Sequence, residues 1–236
     1  MLDLTRFSAL TFDCYGTLID WESGLLDAFA RLVAPYGITA DAESLLAQFA
    51  AIEARLEAEP YQMYRSVLRS TFLEMGPRLG FSPRSTDADK FAGSVDLWPA
   101  FADSSAALKG LKTKFRLGVI SNIDDDLLAY SLAKLGVSFD WVITAQQVGA
   151  YKPAPAIFHA ALERVDVPRD RILHVAQSLY HDIGPANALG LPSVWVNRRS
   201  GKAGSGATLP ALAKPDLVVP DLATLARLAG VSQTTG

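Results

Sequence analysis

The part of the chain that most restricts its fold is residues 9–20, ALTFDCYGTLID, in which an apolar run ends in a carboxylate. The residues before Asp13 are typical of the end of a buried strand, and Gly16 supplies the backbone freedom that a tight turn requires. In open α/β sheets, ligands bind beyond the carboxyl ends of the strands, so Asp13 would be presented to a substrate. The alternative is an aspartate that only caps the turn.

Beyond Pro99, short apolar strands alternate with helices. Such alternation predicts a parallel, doubly wound α/β sheet, because parallel neighbours need crossover connections that are usually helices. Residues 200–209, SGKAGSGATL, predict a flexible surface loop. The predicted strands after the first are 115–120, 141–144, 172–176, 193–196 and 217–219, and the predicted helices are 104–112, 123–135, 155–165 and 182–189.

Between the first strand and the rest of the predicted sheet, the sequence pattern is helical. Gly37 suits a helix C-terminus, and Pro60 stops the next helix. We therefore expect a helical cap domain, residues 19–96, inserted into a core domain of residues 1–18 and 97–236. The predicted cap helices are 22–37, 42–58, 61–75 and 88–96.

Polar residues follow four of the predicted strands: Asp13, the Ser121–Asn122 pair, Lys152 and the segment that ends at Asp182. Because the carboxyl ends of parallel strands meet at one edge of a sheet, these residues should gather there. The cap, inserted just after Asp13, would lie over the same edge.

The residue types at this edge suit an anionic substrate and a carboxylate nucleophile. A nearby ammonium favours the charged form of a carboxyl group, so Lys152 would keep Asp13 ionised and reactive. Ser121 and Asn122, where a strand ends and a helix begins, offer hydrogen-bond donors to an anion. Taken singly, Ser121 is also explained as a helix cap, and Lys152 as a solvated loop charge.

Four segments in this order, FDCYGTL, VISN, VGAYKP and SLYHDIGPANALGL, resemble the motifs of the haloacid dehalogenase superfamily over nearly the whole chain. The resemblance implies a Rossmann-like core with an inserted helical cap, and a hydrolase that forms an aspartyl-enzyme intermediate. It implies that Asp13 is the nucleophile, Lys152 keeps it charged, Thr17 orients it, and Asp182 fixes Lys152 or a water molecule.

Tyr15 separates the branches of the superfamily. Its phosphatases carry a second aspartate two residues after the nucleophile, to protonate the departing alkoxide. Tyrosine, with an ordinary pKa of about 10, replaces that acid poorly near neutral pH, whereas a halide leaves without a proton. The sequence is similar to the (S)-2-haloacid dehalogenase branch, in which this position is aromatic. The resemblance thus implies a small organic acid as substrate, such as a short 2-haloalkanoic acid.

That branch also uses a cap arginine to hold the departing halide. Arg55 is the best positional match in this chain, and Arg65 and Arg69 on the next predicted helix are competitors. Each of these arginines is equally explained as a solvated helix charge.

The fourth motif departs from the dehalogenase pattern. Gln177 and Leu179 stand where that branch has Ser and Asn, and Phe158 replaces a tyrosine expected after the Lys-Pro pair. His181 could be a general base, since its ordinary pKa lies near neutrality, or a ring that packs under the cap. We count Tyr15, Ser178 and His181 with Ser121, Asn122 and Arg55 as candidate substrate-binding residues, and we assign no role to His159 and His174.

Few oxygen ligands for a metal are visible. The fourth motif has one carboxylate, Asp182, where the phosphatases usually have two acids to hold Mg²⁺. We therefore expect no cofactor. Only under a phosphatase alternative would Mg²⁺ bind, to Asp13, the backbone of Tyr15 and Asp182.

Composition limits the remaining classes. The net charge is −3, and no basic stretch is interleaved with aromatic residues, so neither nucleic acid nor an acidic membrane surface is an expected partner. No leader or long apolar segment is apparent, which predicts a soluble cytoplasmic protein. Cys14 is the sole cysteine, so an internal disulfide and a cysteine zinc site are excluded; we expect it to be buried rather than nucleophilic. A homodimer could form through the apolar cap helices.

Three hypotheses remain from the sequence. The first is hydrolytic dehalogenation of a short 2-haloalkanoic acid through an ester of Asp13. The second is Mg²⁺-dependent hydrolysis of a phosphate ester on the same scaffold. The third is a noncatalytic binding protein, because Gln177 and Leu179 replace two polar motif residues.

Overall fold

Six parallel strands form a single sheet in the computed structural model, which describes residues 2–231. The order is β3-β2-β1-β4-β5-β6, so the chain moves outward from β1 in one direction and then in the other. This arrangement confirms the predicted doubly wound α/β fold, and a ligand crevice is expected where the order reverses, beside β1. The strands are β1 (Ala9–Phe12), β2 (Arg116–Ser121), β3 (Trp141–Thr144), β4 (Ile172–Ala176), β5 (Ser193–Val196) and β6 (Leu217–Val219).

The helical insertion lies between β1 and β2, as predicted, and its helices pack around an aromatic interior that includes Phe29, Phe49, Phe72 and Phe91. Treating this insertion as a domain of its own stays a prediction. Its helices are α1 (Trp21–Val33), α2 (Ala42–Glu57), α3 (Tyr64–Arg78) and α4 (Ser85–Gly93), with short 3₁₀ turns at Ala34–Tyr36 and Ser94–Leu97.

The start of α3 is set by a residue of the core rather than by its own sequence. The Asp124 carboxylate accepts the backbone N–H groups of Tyr64 (2.7 Å) and Arg65 (2.9 Å). These are N–H groups of the first helical turn that have no partner within the helix, and an oxygen acceptor stabilises them. The helix therefore begins at Tyr64, three residues later than the periodicity predicts.

The core helices cover the two faces of the sheet. The four-residue α7 and the C-terminal α10 were not predicted; α10 begins where the Asp103 carboxylate accepts the backbone N–H groups of Leu222 (2.7 Å) and Ala223 (3.1 Å). No helix within residues 2–231 combines the length and apolarity needed to cross a membrane. The core helices are α5 (Ser104–Lys112), α6 (Asp125–Leu135), α7 (Ala145–Val148), α8 (Pro155–Arg164), α9 (Gly184–Leu189) and α10 (Leu222–Leu228).

The predicted helix 182–189 is wrong at its start. Leu179–Ile183 form a wider π-helical turn, in which the Ile183 N–H donates to the Ser178 carbonyl at 3.1 Å, and α9 follows it. The Ser178 hydroxyl accepts the N–H of His181 and so begins this turn. The wide turn directs His181 and Asp182 toward the β1 edge, where both line a cavity.

Part of the predicted surface loop 200–209 is buried. Arg199 forms ion pairs with Glu22 and Glu43 of the helical insertion, and Ala207 N–H donates to Glu22 at 3.0 Å. Ala207 and Thr208 are buried as a result. The glycines and serines gave no sign of this, because the ion pairs come from distant parts of the chain.

We predict that Gly24→Ala destabilises the insertion. A Cβ atom at Gly24 would lie only 2.4 Å from the buried ring of Trp98, so the indole or the α1 backbone would have to move. Overpacking of this kind costs about 1–3 kcal/mol in the free energy of unfolding. Gly93→Ala is the matched control, since a Cβ there meets nothing within 4 Å. Urea unfolding should show the loss for Gly24→Ala alone, and equal effects would contradict this packing.

Candidate active site

A buried ammonium group joins the strand-end residues. Lys152 Nζ donates to Asp13 Oδ1 at 2.8 Å, to Asp182 Oδ1 at 2.7 Å and to the Ile120 carbonyl at 3.0 Å. The residue is 1 % exposed. Burial alone would lower the pKa of Lys152, but the two carboxylates outweigh burial and raise it. The side chain is therefore a fixed positive charge beside Asp13.

Asp13 directly follows β1, and its backbone N–H continues the ladder by donating to Val175 of β4 at 3.1 Å. Its second oxygen, Oδ2, accepts the Thr17 hydroxyl at 2.6 Å. Burial and the charge of Asp182 raise the pKa of Asp13, while the donors Lys152 and Thr17 favour its ionised form. The carboxylate is thus held in one orientation by two donors.

The tight turn after Asp13 positions Thr17. Gly16 has φ of +91°, a conformation that side-chain-bearing residues rarely adopt, and a Cβ there would lie 3.0 Å from Gln177 Oε1. The turn lets the Thr17 hydroxyl accept the Gln177 backbone N–H at 2.8 Å while it donates to Asp13.

His174 contacts the Asp182 carboxylate of the Lys152 ion pair, a role that the sequence does not predict. Its Nε2 lies 3.0 Å from Asp182 Oδ1, and its Nδ1 lies 3.0 Å from the Thr11 hydroxyl. Burial opposes the charge of Asp182, but Lys152 and His174 outweigh it and lower the pKa of Asp182. His174 lies on β4 in register with Thr11 of β1, so both side chains face the same side of the sheet.

Asn122 fastens the Lys152 loop. Its Oδ1 accepts the Lys152 N–H at 2.7 Å, and its Nδ2 donates to the Lys152 carbonyl at 2.9 Å. Most of the amide is therefore used within the protein. Ser121, in contrast, ends β2 with a buried hydroxyl that has no hydrogen-bond partner among the described residues, and it lines the cavity. Of the predicted Ser–Asn pair, Ser121 is the one with a free donor.

Ser178 fixes the ring of His181. The Ser178 hydroxyl accepts the His181 backbone N–H at 2.9 Å and lies 3.3 Å from Nδ1, so its own proton is available to Nδ1. When the hydroxyl donates to Nδ1, the imidazole proton lies on Nε2, which has no hydrogen-bond partner in the described chain and belongs to a residue that lines the cavity. Burial lowers the pKa of His181 to about 4. Burial thus favours the neutral ring, and a role for His181 as general base stays a prediction.

Tyr15 does not present its hydroxyl to the nucleophile. The phenol oxygen lies 3.0 Å from the Ser131 hydroxyl on α6, and the ring packs edge-on against Trp98. Burial raises the pKa of Tyr15 well above its ordinary value. Burial likewise raises the pKa of the Cys14 thiol, so neither neighbour of Asp13 is a ready proton donor or nucleophile.

The structure does not bring Arg55 to the cavity, where the sequence predicts a substrate-binding arginine. Arg55 is exposed and pairs with Glu59 at 2.7 Å and with Glu74. Its competitors pair with other surface acids, Arg65 with Asp126 and Arg69 with Asp89. None of the three arginines lines the cavity. Positions two apart on a helix point about 200° apart, so the face of α2 that carries Arg55 is opposite the face that carries residue 53.

Two acids of α2 occupy the cap side of the cavity, and the sequence analysis missed both. The Tyr64 hydroxyl donates to Glu53 at 2.5 Å, and burial raises the pKa of Glu53 to about 8. Glu57 lies 3.3 Å from Asn122 Nδ2 through either oxygen, and burial together with Glu53 raises its pKa well above the ordinary value. Phe49, Glu53 and Glu57 are four residues apart, and residues at this spacing share one face of a helix. The spacing therefore predicts both acids on the buried face that carries Phe49.

The cavity that these residues enclose has a volume of about 40 Å³. At roughly 10–15 Å³ for each water molecule, it holds about three waters or a ligand of a few heavy atoms. Eight of the residues predicted from the sequence line it: Asp13, Tyr15, Ser121, Asn122, Lys152, Ser178, His181 and Asp182. The other lining residues are the missed acids Glu53 and Glu57, with Trp21, Tyr64 and Thr208.

The residues of the cavity offer few ligands for a metal ion. No group of three or more His, Cys, Asp or Glu residues within residues 2–231 is placed to hold one. The Lys152 ammonium lies between Asp13 and Asp182, where an ion that bridges these carboxylates would compete with it. The residues present are therefore a poor fit to Mg²⁺.

The chain thus combines a parallel α/β core, a helical insertion between β1 and β2, and a lysine-paired carboxylate at the end of β1. The chain matches the family model for haloacid dehalogenase-like hydrolases over residues 7–190, and it belongs to this family.

Relatives of this chain have more than one activity in their names. An (S)-2-haloacid dehalogenase of Pseudomonas putida is 27 % identical over 236 aligned residues, covering 94 % of this chain and 96 % of that one. The 5-amino-6-(5-phospho-D-ribitylamino)uracil phosphatase YigB of Escherichia coli is 29 % identical over 213 residues, covering 84 % and 86 %. The structure of L-2-haloacid dehalogenase from Xanthobacter autotrophicus superposes with a TM-score of 0.79 at 23 % identity, covering 95 % and 98 %, and shows the same fold.

We predict that Glu53→Gln makes stability less dependent on pH. The pKa of Glu53 is about 8 in the folded protein and near 4.3 in an unfolded chain, so the folded state binds more protons between these values. Wild-type stability must then fall as pH rises through this range, and a glutamine cannot contribute to that fall. Between pH 5 and pH 8, the free energy of unfolding of the variant, measured in urea, should rise relative to that of wild type by on the order of 1–3 kcal/mol.

Glu59→Gln is the matched control for this measurement, because Glu59 is exposed and pairs with Arg55 at the surface. Its curve should run parallel to that of wild type. A difference between Glu53→Gln and wild type that stays constant with pH would contradict the raised pKa.

Proposed function

We propose that the protein hydrolyses the carbon–halogen bond of short 2-haloalkanoic acids, with Asp13 as nucleophile. The observation that carries this proposal is the cavity beside Asp13. There, Lys152 and Thr17 orient the carboxylate, while Ser121 Oγ and His181 Nε2 are buried donors that lack partners in the described residues. Buried polar atoms without partners are rare, and a bound ligand explains them.

In the first step, an oxygen of Asp13 attacks the carbon that bears the halogen. The new C–O bond forms as the carbon–halogen bond breaks, and the halide leaves with the bonding electrons. No proton is needed, which agrees with a Tyr15 hydroxyl that is engaged with Ser131. Lys152 stays charged throughout and keeps the attacking carboxylate ionised.

The free donors suit the substrate carboxylate. Ser121 Oγ–H and His181 Nε2–H can each donate to one of its oxygens, and the small cavity, about 40 Å³, favours the shortest of these acids. The cap side carries Trp21, Glu53 and Tyr64 instead of an arginine, so neutral groups would receive the halide there.

In the second step, water attacks the carbonyl carbon of the Asp13 ester. The acyl C–O bond breaks, the 2-hydroxy acid leaves, and Asp13 is regenerated as a carboxylate. Asp182 would act by holding Lys152, because its Oδ1 accepts a hydrogen bond from the Lys152 ammonium. We propose no cofactor for either step.

Phosphate-ester hydrolysis is a second candidate, because a relative that is 29 % identical is named a phosphatase. Under this candidate, Asp13, the backbone carbonyl of Tyr15 and Asp182 would hold Mg²⁺. The ammonium between the two carboxylates and the engaged phenol of Tyr15 are the reasons to rank it second.

We predict that the protein releases halide from chloroacetate and that Asp13→Asn abolishes this activity. An amide is a much weaker nucleophile than a carboxylate, so the loss should exceed about 1,000-fold, as for other enzymes that lose the nucleophile. One turnover of excess enzyme in ¹⁸O water should label the Asp13 carboxyl group and leave the first product unlabelled.

EDTA is the control for this experiment. Halide release that survives the chelator supports displacement at carbon. Absence of halide release, together with Mg²⁺-dependent release of phosphate from p-nitrophenyl phosphate, would replace this proposal with the second candidate.

We predict that Ser121→Ala weakens substrate binding and that Arg55→Ala does not. Loss of a hydrogen bond to a charged group costs about 1.5–3 kcal/mol, so KM for chloroacetate should rise about 10- to 100-fold in Ser121→Ala. Arg55 makes only surface pairs, and its variant should keep wild-type kinetics. The reverse pattern in steady-state halide release would contradict the assigned donors.

A further inference from the structure

The proposed reaction has to dispose of a proton. Each turnover converts one halide compound and one water into an alcohol, a halide ion and one H⁺. Asp13 must return to its ionised form, and Lys152 is already protonated. His181, with its pKa lowered to about 4, is a weak base and a poor acceptor. The buried cavity therefore needs another group that takes the proton of the hydrolytic water and gives it to solvent.

Glu57 is the residue placed for that task. It ends α2 with a side chain that is only 5 % exposed, and it borders the cavity beside Asp13. It also borders a second, outer cleft of about 370 Å³, whose other lining residues include Tyr61, Gly149 and Tyr180. Among residues 2–231, Glu57 and Lys152 are the two that line both spaces, and Lys152 is held by its two carboxylates. A proton on Glu57 thus has a short route to the outer cleft.

The contacts of Glu57 leave its carboxylate available to water. Asn122 Nδ2 is 3.3 Å from both oxygens, and His181 Nε2 is 3.7 Å from Oε2, beyond hydrogen-bond distance. The other titratable groups around it are Glu53, Tyr64, Tyr151 and the Lys152 ammonium. The Glu57 carboxylate therefore has one weak donor, the Asn122 amide at 3.3 Å, and can still accept a proton from a water molecule between Glu57 and Asp13.

The ester intermediate makes Glu57 easier to ionise. In the resting enzyme, burial and Glu53 raise the pKa of Glu57, while Lys152 opposes them. Esterification removes the charge of Asp13, one of the two carboxylates that neutralise Lys152. The ammonium is then less compensated, and its attraction for an anion at Glu57 increases. Glu57 can lose its proton to the outer cleft when the second step requires a base.

We propose that Glu57 is the general base of ester hydrolysis, and this rests on the proposed function. Glu57 accepts one proton of the attacking water as the oxygen bonds to the Asp13 carbonyl carbon. The acyl C–O bond then breaks, and the departing alkoxide takes the second proton of that water. Glu57 is then protonated again, as in the resting enzyme, and the one H⁺ released in the turnover is the proton that it gave to the outer cleft when it ionised.

Asp182 is the rival for this role, because its Oδ2 is buried in the cavity without a partner among residues 2–231. Its pKa is lowered by Lys152 and His174, which makes it the weaker base, and it does not line the outer cleft. If Asp182 is the base, a change at Glu57 will leave ester hydrolysis untouched.

The test separates the two half-reactions in Glu57→Gln. Rapid mixing with chloroacetate should give a burst of about one halide per active site, followed by turnover about 100-fold slower than wild type, the usual contribution of a general base. Intact-protein mass should show the enzyme carrying one carboxymethyl group, located on the peptide that contains Asp13. Unchanged steady-state turnover without this adduct, or loss of the burst in the folded variant, would overturn the role.

Glu59→Gln is the matched control. Glu59 lines the outer cleft but not the inner cavity, and it should keep wild-type kinetics without an adduct. If Glu57→Gln does not fold, Glu57→Asp replaces it: a full burst with slowed ester hydrolysis supports the role, and an unchanged second step overturns it. Absence of halide release from wild type would instead overturn the proposed function, and this inference with it.

Discussion

The Lys152 ammonium is the interaction on which the site depends, because it binds three separate segments at once. It contacts Asp13 after β1, the Ile120 carbonyl of β2 and Asp182 in the turn after β4. A buried ammonium is tolerated only when its protons are used, and here the two carboxylates and the carbonyl use all three. Asn122 holds the backbone of the same residue, so the loop cannot withdraw the charge without breaking two further hydrogen bonds.

The insertion is held over this charge by contacts that come from the core. Asp124 begins α3 by accepting the N–H groups of Tyr64 and Arg65, and Arg199 holds α1 and α2 through Glu22 and Glu43. These contacts hold the first turn of α2 and the start of α3 against the core. The cap contributes the carboxyl groups of Glu53 and Glu57 to the cavity, and the packing of α2 buries both side chains.

Sequence patterns predicted the sheet and its polar edge well, since Asp13, Ser121, Lys152 and Asp182 each follow a strand whose apolar run is unmistakable. They failed where a distant residue decides the local structure. The start of α3 depends on Asp124, and the turn at Leu179–Ile183 depends on the Ser178 hydroxyl. Arg55 is the best positional match to the cap arginine of the resembling branch, but the apolar spacing of α2 turns residue 53 toward the interior. The Arg55 side chain, 48 % exposed, therefore pairs with surface acids.

The acids of α2 are compatible with an anionic substrate because burial raises the pKa of both Glu53 and Glu57 and so favours their neutral forms. With Glu53 and Glu57 protonated, the negative charges next to Lys152 are Asp13 and Asp182. In the proposed cycle, Asp13 loses its charge on forming the ester, and Glu57 gains one as it becomes the base. The charge around the ammonium thus stays nearly constant while its location moves from nucleophile to base. One fixed cation could in this way favour the reactive form of a different carboxyl group in each half of the reaction.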